Sequence, residues 1–180
     1  MASVPATRRV WRLHRRPEGD RFEDALRLEE EATPTLAEGE VAISVQYLSL
    51  DAGTRMWMTD RTDSYQPPVP LGSPMPGLVL GRVIASRAAG VPEGSLVRAF
   101  GQWSDVAIVR PEMSGLFVLD ETVADVRQHL GVLGMNGWTA YVGITDAGRT
   151  RPGETVLISA AAGATGMLAA QVARNMGCRV

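Results

Sequence analysis

Between residues 40 and 50 the apolar positions alternate. Val41, Ile43, Val45 and Tyr47 are separated by Ala42, Ser44 and Gln46, which predicts a half-buried strand over Glu40–Leu50. Upstream, Val10, Trp11 and Leu13 lie in an extended run that Arg16-Pro17-Glu18-Gly19-Asp20 breaks. Ala25–Glu31 reads either way, with helix-favouring residues in a strand-sized length, and Thr33-Pro34 closes it. Asp51–Pro70 is polar and proline-rich with Met56, Trp57 and Met58 embedded, and reads as a long functional loop. Strand patterns return at Leu78–Ala85, Ser95–Phe100, Asp105–Val109 and Leu116–Leu119, punctuated by glycines. That spacing predicts a small, bent antiparallel barrel. Helix signals begin near Glu121. The stretch His129–Ala147 has helical spacing, and Gly131, Gly134 and Gly137 mark an irregular entry where backbone could meet a ligand. The last segment runs from an apolar strand, Thr155–Ser159, through a turn at Ala160–Gly166 into a helix ended by Gly177. Cys178–Val180 then opens another strand.

The chain has 180 residues, 45% of them apolar and 21% charged, which is an ordinary globular composition. No apolar run is long enough for a membrane span, and the arginine-rich start is no secretory signal. A net charge of −2 gives no electrostatic footprint for nucleic acid or for an anionic membrane. A cytoplasmic protein is expected. The single cysteine, Cys178, excludes an intrachain disulfide. With only His14 and His129 to join it, no zinc-ligand spacing exists, and no metal is expected. All 18 basic residues are arginine, which excludes a lysine Schiff base and a Walker A loop.

Strand, glycine turn, helix and strand in succession form the context of a dinucleotide fingerprint. In Ala160-Ala161-Ala162-Gly163-Ala164-Thr165-Gly166, Gly163 and Gly166 fall on the second and third glycines of G-x-G-x-x-G, and Ala161 replaces the first. Gly163 would let backbone approach a pyrophosphate, and Gly166 would allow helix to pack on strand. The helix N-terminus offers free N–H groups to the phosphates, and Thr165 a hydroxyl donor. The turn also fits an α/β protein that binds no nucleotide. The acidic or basic residue that separates NAD from NADP would fall just past Val180.

The segment Pro152–Gly166 resembles the cofactor turn of zinc-independent medium-chain dehydrogenase/reductases, in particular the prostaglandin reductase and alkenal/one oxidoreductase branch. Leu130-Gly131-Val132-Leu133-Gly134-Met135-Asn136-Gly137-Trp138-Thr139-Ala140-Tyr141 is similar to its Leu-Gly-x-x-Gly-Met-x-Gly-x-Thr-Ala-Tyr stretch. Tyr47-Leu48-Ser49-Leu50-Asp51 with Arg55 resembles its Leu-Ser-x-Asp-Pro-Tyr-Met-Arg segment, and Pro17-Glu18-Gly19 agrees as well. The likeness extends over nearly the whole chain.

The resemblance implies a mixed α/β fold. A GroES-like, mostly antiparallel β-barrel substrate domain would occupy residues 1–128, and the first β-α of a truncated Rossmann domain residues 129–180. It implies NADPH-dependent reduction of the C=C bond of α,β-unsaturated ketones and aldehydes. The alternatives are a quinone reductase of the same superfamily, or a non-catalytic GroES-like binding module if the chain ends at Val180. By the same resemblance Met135, Asn136 and Thr139 lie near the nicotinamide, and Ala162, Gly163, Thr165 and Gly166 near the pyrophosphate. Asn136 stands where Thr or Pro is usual. Arg55 borders the substrate cleft, as a carboxylate partner or as a structural ion, and Ala52-Gly53-Thr54 replaces the family's Pro-Tyr-Met. Trp57, Met56 and Met58 are expected in the core more than in a pocket, and His14 and His129 outside acid–base chemistry. No catalytic residue is assigned, since by the same resemblance the tyrosine often proposed for this branch would fall beyond Val180. A small-molecule substrate is expected, and a homodimer is open for the complete protein. The 180 residues alone are expected to be inactive, with an apolar face of the last helix left uncovered.

Overall fold

The computed structural model describes residues 3–63, 66–122 and 125–180, and divides into two compact units, residues 1–120 and 121–180. The first unit is antiparallel β structure. Strands β1 (Thr7–Leu13) and β2 (Leu26–Ala32) pair with each other. A five-stranded sheet contains β3 (Val41–Leu48), β4 (Pro76–Ser86), β5 (Leu96–Gln102), β6 (Val106–Val109) and β7 (Phe117–Val118), in the order β6-β3-β4-β5-β7. Bridges at Val10–Ser104 and Arg12–Pro74 stitch β1 to the larger sheet. The expected mostly antiparallel β domain is therefore assembled from two sheets.

Its core is aliphatic. Val41, Ile43, Val79, Val97, Ala99 and Ala107 are fully buried. Ala42 is buried too, beside a register shift between Ala42 and Ile43 in the pairing of β3 with β4. A second register shift follows between Val45 and Tyr47, and Tyr47 is partly exposed. Residues 41–43 are thus all buried, and the predicted alternation does not hold along β3.

The ambiguous segment Ala25–Glu31 is mainly strand. What decides it lies across the ladder, where Arg8 pairs with Glu31. The Arg8 Nε and Nη2 donate to Glu31 Oε1 at 2.9 and 2.7 Å, and Arg12 Nη2 donates to Glu31 Oε2. Arg8 is only 6% exposed, and its Nη1 donates to the Val106 carbonyl at 3.1 Å. Such cross-strand pairs outweigh the weak helix preference of glutamate. Burial alone would raise the Glu31 carboxyl. The hydrogen bonds and charges of Arg12 and Arg8 prevail and hold it below the usual carboxylate range.

The long segment Asp51–Pro70, of which Ser64 and Tyr65 lie outside the described residues, contains one helical turn, α1 (Thr54–Trp57). Trp57 and Met58 pack with Leu13, Val69 and Met75. A second helical turn, α2 (Pro111–Ser114), precedes β7.

In the second unit a 3₁₀ turn at Val126–Leu130 leads to α3 (Met135–Val142), which continues as a π turn over Gly143–Ala147. Of the helix signals expected near Glu121, Val123 and Ala124 lie outside the described residues. The last helix, α4 (Ala164–Asn175), packs on α3 through Ala140, Ile144, Ala169 and Ala173, flanked by Val156, Ile158, Leu168 and Val172. Only Ala169 and Ala173 of α4 are buried against α3, while Leu168, Val172 and Met176 stay half-buried and Met167 is exposed, so the apolar face of the helix, expected to be uncovered, is covered in part. The expected strand Thr155–Ser159 is corrected. It makes one parallel bridge, Thr155–Arg179, with Val156 N–H donating to the Arg179 carbonyl at 2.8 Å. No ladder longer than this bridge forms there among the described residues, and Leu157 is 99% exposed.

Candidate functional site

The turn before α4 has the shape of an anion cradle. Gly163 precedes the helix in extended conformation, and no side chain caps it. The amides of Ala164, Thr165 and Gly166 open the first turn, where a helix has no intrahelical acceptors. They therefore face outward with the positive end of the helix dipole. Gly166 is obligatory for a local reason. A Cβ there would overlap the Ala160 carbonyl oxygen and lie 3.0 Å from the Ala161 Cα. The glycine thus lets the helix close on its own turn rather than on the neighbouring strand. The left-handed residue of the turn is Ala160, at φ 50°, not Ala161, where the motif places its missing glycine. An alanine there costs on the order of 1 kcal/mol, strain that the tight turn holds.

One side-chain hydrogen bond links this turn to α3. Thr165 Oγ1 donates to Asn136 Oδ1 at 3.0 Å, although the two residues are 29 positions apart. Asn136 and Thr165 are each the second residue of their helix, and both are half-buried. Met135 and Thr139, one helical turn apart, are exposed on α3. Ala162 and Gly163 are exposed in the turn. The structure thus brings Asn136 and Thr165 together, a pairing that sequence spacing gave no sign of. Two of the glycines serve packing: a Cβ on Gly134, just before α3, would overlap the His129 carbonyl, and one on Gly137, within α3, the Val132 carbonyl, whereas Gly131 has room for one. The close approach there is backbone on backbone.

Arg55 belongs to the first unit and is engaged. Its Nη2 donates to the Gly19 carbonyl at 3.1 Å and its guanidinium lies 5.4 Å from the Phe22 ring centre. Its Nη1 is buried with no hydrogen-bond partner. Beyond it, Trp57 and Phe100 meet edge to face at 6.0 Å and line an apolar groove of about 230 Å³ with Val69, Pro74 and Pro76. Trp57 thus serves both core and groove, whereas Met56 is partly exposed. His14 Nε2 lies 2.6 Å from Glu29 Oε1, and His129 is buried. Among the described residues no three His, Cys, Asp or Glu side chains converge as metal ligands, and no helix is long and apolar enough to cross a membrane.

Residues 9–117 match the sequence profile of the N-terminal domain of oxidoreductase family. The chain belongs to the zinc-independent medium-chain dehydrogenase/reductase superfamily. This superfamily member is 38% identical over 96% of its length to the NADPH-dependent curcumin reductase of Escherichia coli strain K12, covering 49% of that protein. It is 34% identical over 78% of its length to a 2-alkenal reductase (NADP(+)-dependent) of Nicotiana tabacum, covering 41% of it. The crystal structure of CurA from Vibrio vulnificus in complex with NADPH superposes with a TM-score of 0.86 at 36% identity, over 96% of this chain and 50% of that one. The chain therefore spans about half the length of the relatives it matches.

Proposed function

We propose that the chain is the leading part of an NADPH-dependent oxidoreductase that reduces the C=C bond of α,β-unsaturated ketones and aldehydes. Residues 1–128 form its substrate domain and 129–180 open its nucleotide domain. The observation that carries this reading is the uncapped start of α4, where Gly166 closes the turn on Ala160 and leaves three amides facing outward. Such a cradle fits a pyrophosphate. The relatives named for NADPH or NADP(+) favour that cofactor.

When bound, NADPH would supply hydride to the β-carbon of the conjugated alkene, and water or a protonated group would supply the proton that completes the α-carbon. The amides of Ala164, Thr165 and Gly166 hold the pyrophosphate, with Ala162 and Gly163 giving it clearance. Met135, Asn136 and Thr139 stand at the nicotinamide end. The groove beside Trp57 and Phe100 takes the apolar part of the substrate. Arg55 shapes the substrate side through the turn it fastens, because a bidentate grip on a carboxylate requires it to leave Gly19 and Phe22. Hydrogen bonds to the carbonyl oxygen stabilise the developing enolate, a role that needs donors and no metal.

The test is turnover by the complete protein, followed as NADPH-dependent loss of enone absorbance. Turnover of enones supports the reading. Turnover of quinones alone would move it to a quinone reductase, and absence of both NADPH binding and turnover to a non-catalytic binding module.

A further inference from the structure

We propose, resting on the nucleotide-binding reading above, that Thr165 is a positioning residue that acts through Asn136 rather than on the phosphates. A hydroxyl has a single proton, and that of Thr165 is committed to Asn136 Oδ1. The amide of Asn136 has one acceptor and two donors. With Oδ1 turned to Thr165, Nδ2 presents both N–H groups on the opposite edge. Among the described residues the Asn136 side chain makes no other hydrogen bond. A carboxamide with no partner turns over readily and offers oxygen or nitrogen alike. The bond to Thr165 removes that choice. What Asn136 shows to a ligand is a donor edge, set beside the outward amides of α4. That edge suits the acceptor oxygens of a dinucleotide, whether ribose, phosphate or carboxamide. It also ties the start of α3 to the start of α4, so cofactor binding finds both in register.

The complete protein, titrated with NADPH by fluorescence and melted in parallel, tests this. Thr165→Val and Asn136→Ala each raise the Kd about fivefold, and the double variant is no weaker than Asn136→Ala alone. Thr165→Ser keeps the wild-type Kd. Asn136→Asp preserves the acceptor for Thr165 but turns the donor edge into an anionic acceptor. It raises the Kd more than about tenfold while the melting temperature holds. Multiplicative losses in the double variant, a weakened Thr165→Ser protein, or an unchanged Kd for Asn136→Asp each overturn the proposal. If wild type itself does not bind NADPH, the functional reading fails first, and that result is read before any variant is made.

Discussion

The two units solve the problem of a core in opposite ways. Residues 1–120 bury large aliphatic side chains between strands and lock β1 to β2 with charge pairs. Residues 121–180 have few large buried side chains and rely on glycine and alanine to bring backbone against backbone. An aliphatic core loses stability in proportion to the volume removed. A core built on close approach fails when a single methyl is added. Sensitivity to deletion marks the first unit, and sensitivity to addition the second.

The largest effect should come from Gly137→Ala. The added methyl overlaps the Val132 carbonyl, so α3 must shift from the turn before it. We expect a loss of about 4 kcal/mol, read as collapse of amide-exchange protection across 135–142. Survival of that protection would break the contrast. Ile43→Ala is the mirror experiment, expected to cost about 3 kcal/mol by chemical denaturation, with exchange loss centred on β3.

The smallest effect sharpens the comparison through charge. Glu31→Gln weakens the bridge to Arg8 and Arg12 and should cost about 2 kcal/mol at neutral pH. The native carboxyl lies below its unfolded value, so its contribution is full above about pH 4 and disappears as pH falls through the native value. Wild type and variant should therefore converge in acid melts. A constant gap across the titration would assign the loss to packing.

Much of the first unit was legible because its strands carry their own signal. Val41, Ile43 and Val45 alternate whatever they pack against. Residues 26–32 were not, because their structure depends on arginines far away in sequence that no local propensity records. The turn at 160–166 was legible as a class of chemistry, yet not in detail. The left-handed position fell on Ala160, since φ is set by how the chain enters the helix and not by where a motif expects glycine. Nor could spacing reveal that Thr165 reaches Asn136, because the contact exists only once α3 and α4 have packed. The glycines near α3 announced a close approach, but the sequence is silent on whether the neighbour is ligand or backbone.

The bond between Asn136 and Thr165 bears on the chemical lifetime of the chain. Asn136-Gly137 is the dipeptide most prone to lose ammonia, because an unhindered glycine nitrogen attacks the preceding side-chain carboxamide and closes a cyclic imide. In the folded chain the Gly137 N–H donates to the Gly131 carbonyl, helix α3 holds the backbone out of ring-closing geometry, and Thr165 restrains the carboxamide. Ageing at this bond is then confined to chains in which α3 has frayed or never formed. Its product, a carboxylate, would exchange the donor edge of Asn136 for an anionic acceptor.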